Sequence, residues 1–216
     1  MTERAPLSRD RIAEAALALI DADGLDALTM RKLGASLDVE AMSLYNHVDN
    51  KDDVLTAASD VLSAEVSARY QAAPGRETWR NDARALAMAW WSVGLEHPNA
   101  FTLIADRVHD SPAAVQKMCD VYGVFDRTGL DTQSVVDSFH AAASYVVGAV
   151  RQEHTVLEAL RGGAGFTAEQ LPPEYQWLVD FKTVCTRTPG EEQFRRGLEI
   201  VLDGIAARID GLPAAD

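Results

Sequence analysis

The spacing of apolar residues constrains this chain more than any other feature. In DTQSVVDSFHAAASYVVGAVRQEH, residues 131–154, Val135, Val136, Phe139, Ala142, Ala143, Val146, Val147 and Val150 recur every three or four positions. That period covers well over a third of a helix in apolar side chains. No stretch of the chain alternates as a half-buried strand does, so an all-α fold is expected. Local start and stop signals divide the rest. Ser8 is placed to cap a first helix carrying Ile12, Ala15, Ala16, Leu19 and Ile20, which Gly24 ends. Thr29 caps a second helix with Leu33 and Leu37, and a third spans about Glu40 to His47. Asn50, with Asp53 three residues on, opens a fourth that reaches about Tyr70.

QAAPGRET, residues 71–78, reads as the boundary to a larger helical region. There the sequence predicts helices over 79–97, stopped by Pro98, over 111–129, begun by Ser-Pro and ended by Gly129, and over 131–154. A loop, RGGAGFTAEQLPP, leads to a short helix beginning in EYQWLVDF and to a last one started by Thr-Pro. The expected organisation is an N-terminal domain over 1–51, a connecting helix and linker over 52–74, and a second domain over 75–216.

Composition removes several functions. The chain has 216 residues and a net charge of −13, which argues against coating nucleic acid by charge alone. Residues 1–51 also hold six Arg and Lys against nine Asp and Glu, so a DNA contact must rest on where the charges point. No apolar run approaches the roughly 18 residues of a membrane span. MTERAPLSRDR has no apolar core of a signal peptide, so a cytoplasmic protein is expected. The two cysteines, Cys119 and Cys185, fit a reducing compartment and small buried hydrophobes. Metal spacings, a Gly-x-Ser-x-Gly elbow and a phosphate loop are absent, so no catalytic residue, metal ligand or cofactor is assigned.

The stretch TMRKLGASLDVEAMSLYNHVDNKDDVL, residues 29–55, sets two short helices either side of Leu37-Asp38-Val39. A helix, a tight turn and a second helix is helix-turn-helix geometry, whose second helix fits the major groove. Leu33, Leu37, Val39 and Leu44 are spaced to lock the pair together. Ala41, Met42, Ser43, Tyr45, Asn46 and His47 then fall on outer or flanking faces. Met42 and Ala41 suit thymine methyls, and Arg31 suits a guanine or a phosphate. Lys51 and the free N–H groups opening the fourth helix suit a phosphate.

These residues resemble the DNA-binding domain of the TetR (tetracycline repressor-like) family of bacterial regulators. The resemblance is carried by Leu44, Tyr45, His47, Val48, Asn50 and Lys51, and by the upstream LSRDRIAEAALALIDADGLDALTMRKL. It implies that Arg31, Ala41, Met42, Ser43 and Asn46 read bases, and that Met30, Tyr45, His47 and Lys51 hold the backbone. Thr29 and Glu40 complete the expected DNA-binding set. Leu171-Pro172-Pro173 with the helix after it, FRRGLEIVLDGIAARI and FHAAASYVVGAVRQEH resemble the C-terminal half of the tetracycline-repressor subgroup. Two departures stand out. Asp38 replaces the usual glycine of the turn, at a cost of about 1 kcal/mol, and the turn is expected to survive. The magnesium-bound drug site of the subgroup needs a histidine where Val93 aligns and an acid near Arg151-Gln152, with Glu153 adjacent, so tetracycline is not the expected ligand.

The second domain is rich in large side chains: Trp90, Trp91, Phe101, Met118, Tyr122, Phe125, Phe139, Tyr145, Trp177 and Phe181. Such a set builds a core or walls a mostly apolar pocket between helices. The expected pocket is Trp90, Trp91, Phe101, Gln116, Met118, Tyr122, Phe139, His140 and Trp177, with Gln116 and His140 as its polar groups. Helices over Asp131–Glu153 and Gly190–Ile209 are the expected homodimer interface, with Val146 in it. The expected function is a repressor released from a palindromic, double-stranded operator by a small molecule. The alternatives are an interaction module on the same fold without DNA binding, and an all-helical carrier or enzyme.

Overall fold

The computed structural model describes residues 6–107, 111–163 and 165–211, and every regular element among them is helical. The helices are α1 (Arg9–Asp23), α2 (Met30–Leu37), α3 (Ala41–Leu44), α4 (Lys51–Ala72), α5 (Trp79–Glu96), α6 (Phe101–Ala105), α7 (Pro112–Asp126), α8 (Thr132–Gln152), α9 (Glu158–Arg161), α10 (Trp177–Arg187) and α11 (Gly190–Asp210). The chain gathers into two compact units. One takes the residues up to Gly75 with Met88–Gly123, and the other Arg76–Ala87 with the residues from Val124 onward. The expected boundary region contains the first crossing, just after α4 ends at Ala72. Met88–Gly123 group with the first unit.

The first unit is built around α4. Val54, Ala57, Ala58, Leu62 and Val66 are buried along one side of it, and α1 and α6 pack against it. α1 turns Ile12, Ala13, Ala16, Leu17 and Ile20 inward, so its buried stripe is rotated from the expected one towards Ala13 and Leu17. Leu19 and Ala15 lie at its edge, half-buried. The side of α4 facing its neighbours also carries serines. Ser59 donates to the Leu103 carbonyl at 2.9 Å, and Ser67 bonds Asp120. The short α6 was not anticipated from sequence, because its five residues give too little period to read. Phe101, Leu103 and Ile104 bury there.

In the second unit α8 and α11 pack along each other. Phe194, Leu198, Leu202 and Ile205 are buried on α11, and Val135, Val146 and Val150 on α8. Tyr145 stacks on Phe194 with ring centroids 5.7 Å apart and donates to the Phe194 carbonyl at 2.7 Å. Gly197 makes room, since a Cβ there would collide with the Tyr145 ring. Val146 therefore faces the protomer's own core at 6% exposure, and a charge there disrupts folding before it tests any interface. α8 does not end as simply as its period implies. It passes into a π-helical segment, Glu153–Leu157, before α9.

Charge pairs lace this unit. Arg84 holds Glu199 of α11 through Nε to Oε1 at 2.5 Å and Nη2 to Oε2 at 2.8 Å, and Arg80 Nη2 adds a bond to Oε2 at 2.8 Å. Hydrogen bonding by Arg84 leads the effects that pull the Glu199 carboxyl down to about 2. A depressed carboxylate contributes stability that is full above its unfolded value, and that is lost as pH falls towards the folded one. Glu199 is more than a third exposed, so its contribution is screened to about 1 kcal/mol or less. Glu199→Gln is expected to lower the urea midpoint at neutral pH by that amount, with wild type and variant converging between about pH 4.5 and the Glu199 value of about 2.

Candidate nucleic-acid interface

α2 begins at Thr29, whose hydroxyl accepts the Lys32 N–H at 3.2 Å. It ends in a left-handed turn. Asp38 takes φ 56°, ψ 47°, its N–H bonds the Ala35 carbonyl at 3.2 Å, and the Val39 N–H reaches back to Gly34 at 2.9 Å. This is the paired-bond termination glycine usually supplies, and aspartate sustains it, as expected. Leu33, Leu37 and Leu44 are buried while Val39 is half-buried, so three of the four expected locking residues close the motif fully.

The closeness of α2 and α3 depends on a residue that the sequence reading passed over. A Cβ on Gly34 would lie 2.9 Å from the Val39 carbonyl oxygen and 3.2 Å from the Ala41 Cα. Both are backbone atoms and cannot swing aside. A glycine inside a helix costs about 1 kcal/mol against alanine, and that unforced cost was the available signal.

α3 is shorter than expected. Its regular part is Ala41–Leu44, and Tyr45 to His47 continue as a turn closed by the His47 N–H to the Leu44 carbonyl at 2.9 Å. Burial of Val48 then draws the chain into α4. Outward from this ridge stand Met42 at 75% and Tyr45 at 44% exposure, with Asn46, His47 and Glu40 also exposed. Ala41, Ser43 and Met30 are half-buried, whereas Thr29, Arg31 and Lys51 are exposed. All eleven expected DNA-binding residues thus lie on α2, α3 or their adjoining turns and the start of α4, none fully buried.

The α4 N-terminus is fixed rigidly. Asn50 accepts the Asp53 N–H at 2.9 Å, and the Asp53 carboxylate accepts the Asp49 N–H at 2.9 Å. Arg9 grips the same carboxylate by two nitrogens at 2.6 and 2.7 Å, and its hydrogen bond holds Asp53 below the usual carboxylate range. Asp52 is bonded by Arg107 at 2.7 Å. Two of the acids at this end are therefore partly neutralised by arginines distant in sequence. Asp52 and Asp53 lie just outside residues 1–51, so the excess of nine acidic over six basic residues counted there stands.

The family comparisons bear on this motif directly. Residues 12–58 match the bacterial regulatory proteins of the tetR family, and residues 71–209 match the tetracyclin repressor-like C-terminal domain. The chain belongs to the TetR family. An HTH-type transcriptional regulator of Saccharopolyspora erythraea is 32% identical over 207 residues, spanning 93% of this chain and 85% of that protein. The class D tetracycline repressor of Escherichia coli is 29% identical over 217 residues, 96% of this chain and 93% of the repressor. ActR of Streptomyces coelicolor, solved in complex with actinorhodin, has a TM-score of 0.74 at 27% identity, covering 95% of this chain and 99% of that one.

Residues expected to line a pocket fall in both units. In the first, Trp91 and Phe101 are buried, Trp90 meets Phe101 edge-on at 6.1 Å, and Tyr122 is half-buried. Gln116 and Met118 are exposed on α7, and Gln116 donates to Asp120 at 2.9 Å. In the second, Phe139 is half-buried, His140 is exposed, and Trp177 is 60% exposed at the start of α10. Trp90 and Phe101 are in ring contact in the first unit, and the sequence neighbours Phe139 and His140 in the second, with centroids 5.0 Å apart. Among the described residues no helix is long and apolar enough to cross a membrane.

Gly34→Ala is expected to destabilise the chain by about 1–3 kcal/mol despite its better helix propensity, because an overpacked contact against backbone cannot relax. Thermal unfolding followed by circular dichroism checks this. An unchanged midpoint would mean that α2 and α3 are not so closely apposed.

Proposed function

We propose that this TetR-family DNA-binding regulator is a homodimeric repressor, that it reads a palindromic operator, and that an apolar small molecule releases it. The carrying observation is the exposed ridge of Met42, Tyr45, Asn46 and His47 on a helix pair locked by buried leucines, flanked by Arg31 and Lys51. In this reading Arg31, Ala41, Met42, Ser43 and Asn46 meet base edges, with Glu40 beside them. Thr29, Met30, Tyr45, His47 and Lys51 hold phosphates and sugar. We assign operator binding to residues 1–51, linkage to 52–74, and ligand binding and dimerisation to 75–216.

Two-fold symmetry supplies two reading helices, which suit half-sites about 34–36 Å apart. The surface that supports dimerisation is made of small residues. α8 exposes Ala141, Ser144 and Gly148, and α11 exposes Ile200, Gly204 and Ala207. A Cβ at Gly148 or Gly204 would meet nothing within 4 Å in the protomer, so packing inside the chain does not require these glycines. A second copy approaching closely does. Ile200, 74% exposed, replaces Val146 as the test position. Ile200→Asp is expected to sediment as a folded monomer, and an intact dimer would refute this interface.

For the effector, the similarity to ActR, which was solved in complex with actinorhodin, supports a small-molecule ligand. A tetracycline–magnesium chelate fits less well. Val93 is a fully buried aliphatic residue, and Glu153, the acid that follows Arg151-Gln152 in sequence, is engaged by Arg161 at 2.5 Å. Release requires that the ligand bind better to a state whose reading helices are misplaced.

The experiment is selection of bound fragments from random and genomic DNA, run beside the double variant Arg31→Ala/Tyr45→Ala. A palindromic site, lost in the variant and weakening steeply with salt, is the expected result. No enrichment at low salt would overturn the reading in favour of an interaction module.

A further inference from the structure

His97 follows the end of α5, and its ring is placed between two carboxylates from different helices of the first unit. Nδ1 stands 2.7 Å from Asp21 Oδ2, near the end of α1, and Nε2 stands 3.4 Å from Glu65 Oε2, in the middle of α4. Ionised carboxylates only accept hydrogen bonds. Both contacts are attractive together only when the ring carries both protons. The Asp21 contact is the more demanding. Asp21 Oδ1 is buried without a hydrogen-bond partner, so the His97 proton on Oδ2 is the side-chain bond that compensates this carboxylate. Asn99 adds a bond to the Asp21 backbone carbonyl at 2.9 Å, which holds the same turn to α1.

The other charges facing the ring are Arg69 of α4 and Glu96 of α5. Arg69 donates to Glu96 at 2.7 and 2.8 Å and also bonds Glu65. Glu65, Glu96 and His97 present ligand atoms within 4.8 Å of one another, but the guanidinium already supplies their positive charge. The group is an ion-pair network rather than a metal centre.

From this arrangement we infer that His97 is a proton-dependent tie between the turn after α5 and α4. With both protons it hydrogen-bonds Asp21 of α1 and forms an ion pair with Glu65 of α4. On losing one it keeps Nδ1–H on Asp21, and the Nε2 lone pair turns against the Glu65 carboxylate. The attachment to α1 survives and the attachment to α4 is lost. Lys51 opens the same α4 about 21 Å away along a straight helix, so the tie acts on the helix whose first residue belongs to the candidate DNA surface.

The test is hydrogen exchange on the full chain, read by mass spectrometry over the α4 peptides around Glu65 and corrected for intrinsic rates. Wild type is compared at about pH 5.5 and about pH 8, the range in which an imidazole changes charge and ordinary carboxylates do not. Protection in α4 is expected to fall by roughly two- to fivefold on raising the pH, the size of a partly exposed ion pair. The fall should vanish in His97→Gln and in Glu65→Gln, which remove the proton and the repelled charge respectively. Should His97→Gln fail to fold, Glu65→Gln carries the comparison alone. Nitrogen-15 spectra of the His97 ring should show Nε2, not Nδ1, losing its proton over the same range. An equal fall in either folded variant, no fall in wild type, or loss of the Nδ1 proton first would overturn the tie. No DNA enters the measurement, so its failure leaves the operator reading untouched.

Discussion

Burial of α4 is the constraint on which the first unit depends. α4 is 22 residues long and carries nine buried residues, six of them aliphatic or aromatic and three of them serines. Its apolar side is covered by α1 and α6. An amphipathic helix of this length gains its stability from such covering more than from intrinsic propensity. Once α4 is fixed, the clamp of Arg9 on Asp53 sets its N-terminus, α1 packs on α4, and α2 packs on α1 and α3 with Leu33 and Leu44 buried.

The serines on α4 make this packing different from a purely apolar one. Ser59 and Ser67 find partners on other elements, while the Ser63 hydroxyl is buried without a hydrogen-bond partner. Buried hydroxyls weaken a helix contact relative to methyl groups of the same size unless each is bonded. A helix held by a few specific contacts, such as the ion pair of Arg107 with Asp52 and the hydrogen bond from Ser111 to Asp60, has discrete attachments that a second state can exchange. That is the physical requirement for a DNA affinity that responds to an effector.

α8 and α11 present the opposite case. Their facing sides are fitted closely, with Gly197 yielding to Tyr145 and Gly190 lying against the Glu153 carboxylate. Their outer sides are small and open. The close packing defines the protomer, and the small exposed residues Ala141, Ser144, Gly148, Gly204 and Ala207 are those on which the proposed dimer contact rests.

Much of this was legible in the sequence, because it depends on neighbours three or four residues apart. Helical periods, the caps at Ser8, Thr29 and Asn50, and the left-handed turn at Asp38 are local effects, and each is present. So is the exposed ridge of Met42, Tyr45, Asn46 and His47 on α3 and the turn after it, since the buried Leu44 fixes which way its neighbours point. The family resemblance rested on these same local signals. Other features were decided only by tertiary structure. The α1 stripe turned towards Ala13 and Leu17 because α4 determines which side of α1 is covered. Val146 faced its own core rather than outward because α11 of the same chain packs there. Gln116, His140 and Trp177 were grouped by residue type, yet all three are exposed, since residue type does not say which helix covers a side chain. The partners of Asp53 and Asp21, Arg9 and His97, lie 44 and 76 residues away. Side chains that far apart meet only when the intervening chain has folded, so no pattern of local spacing encodes the meeting.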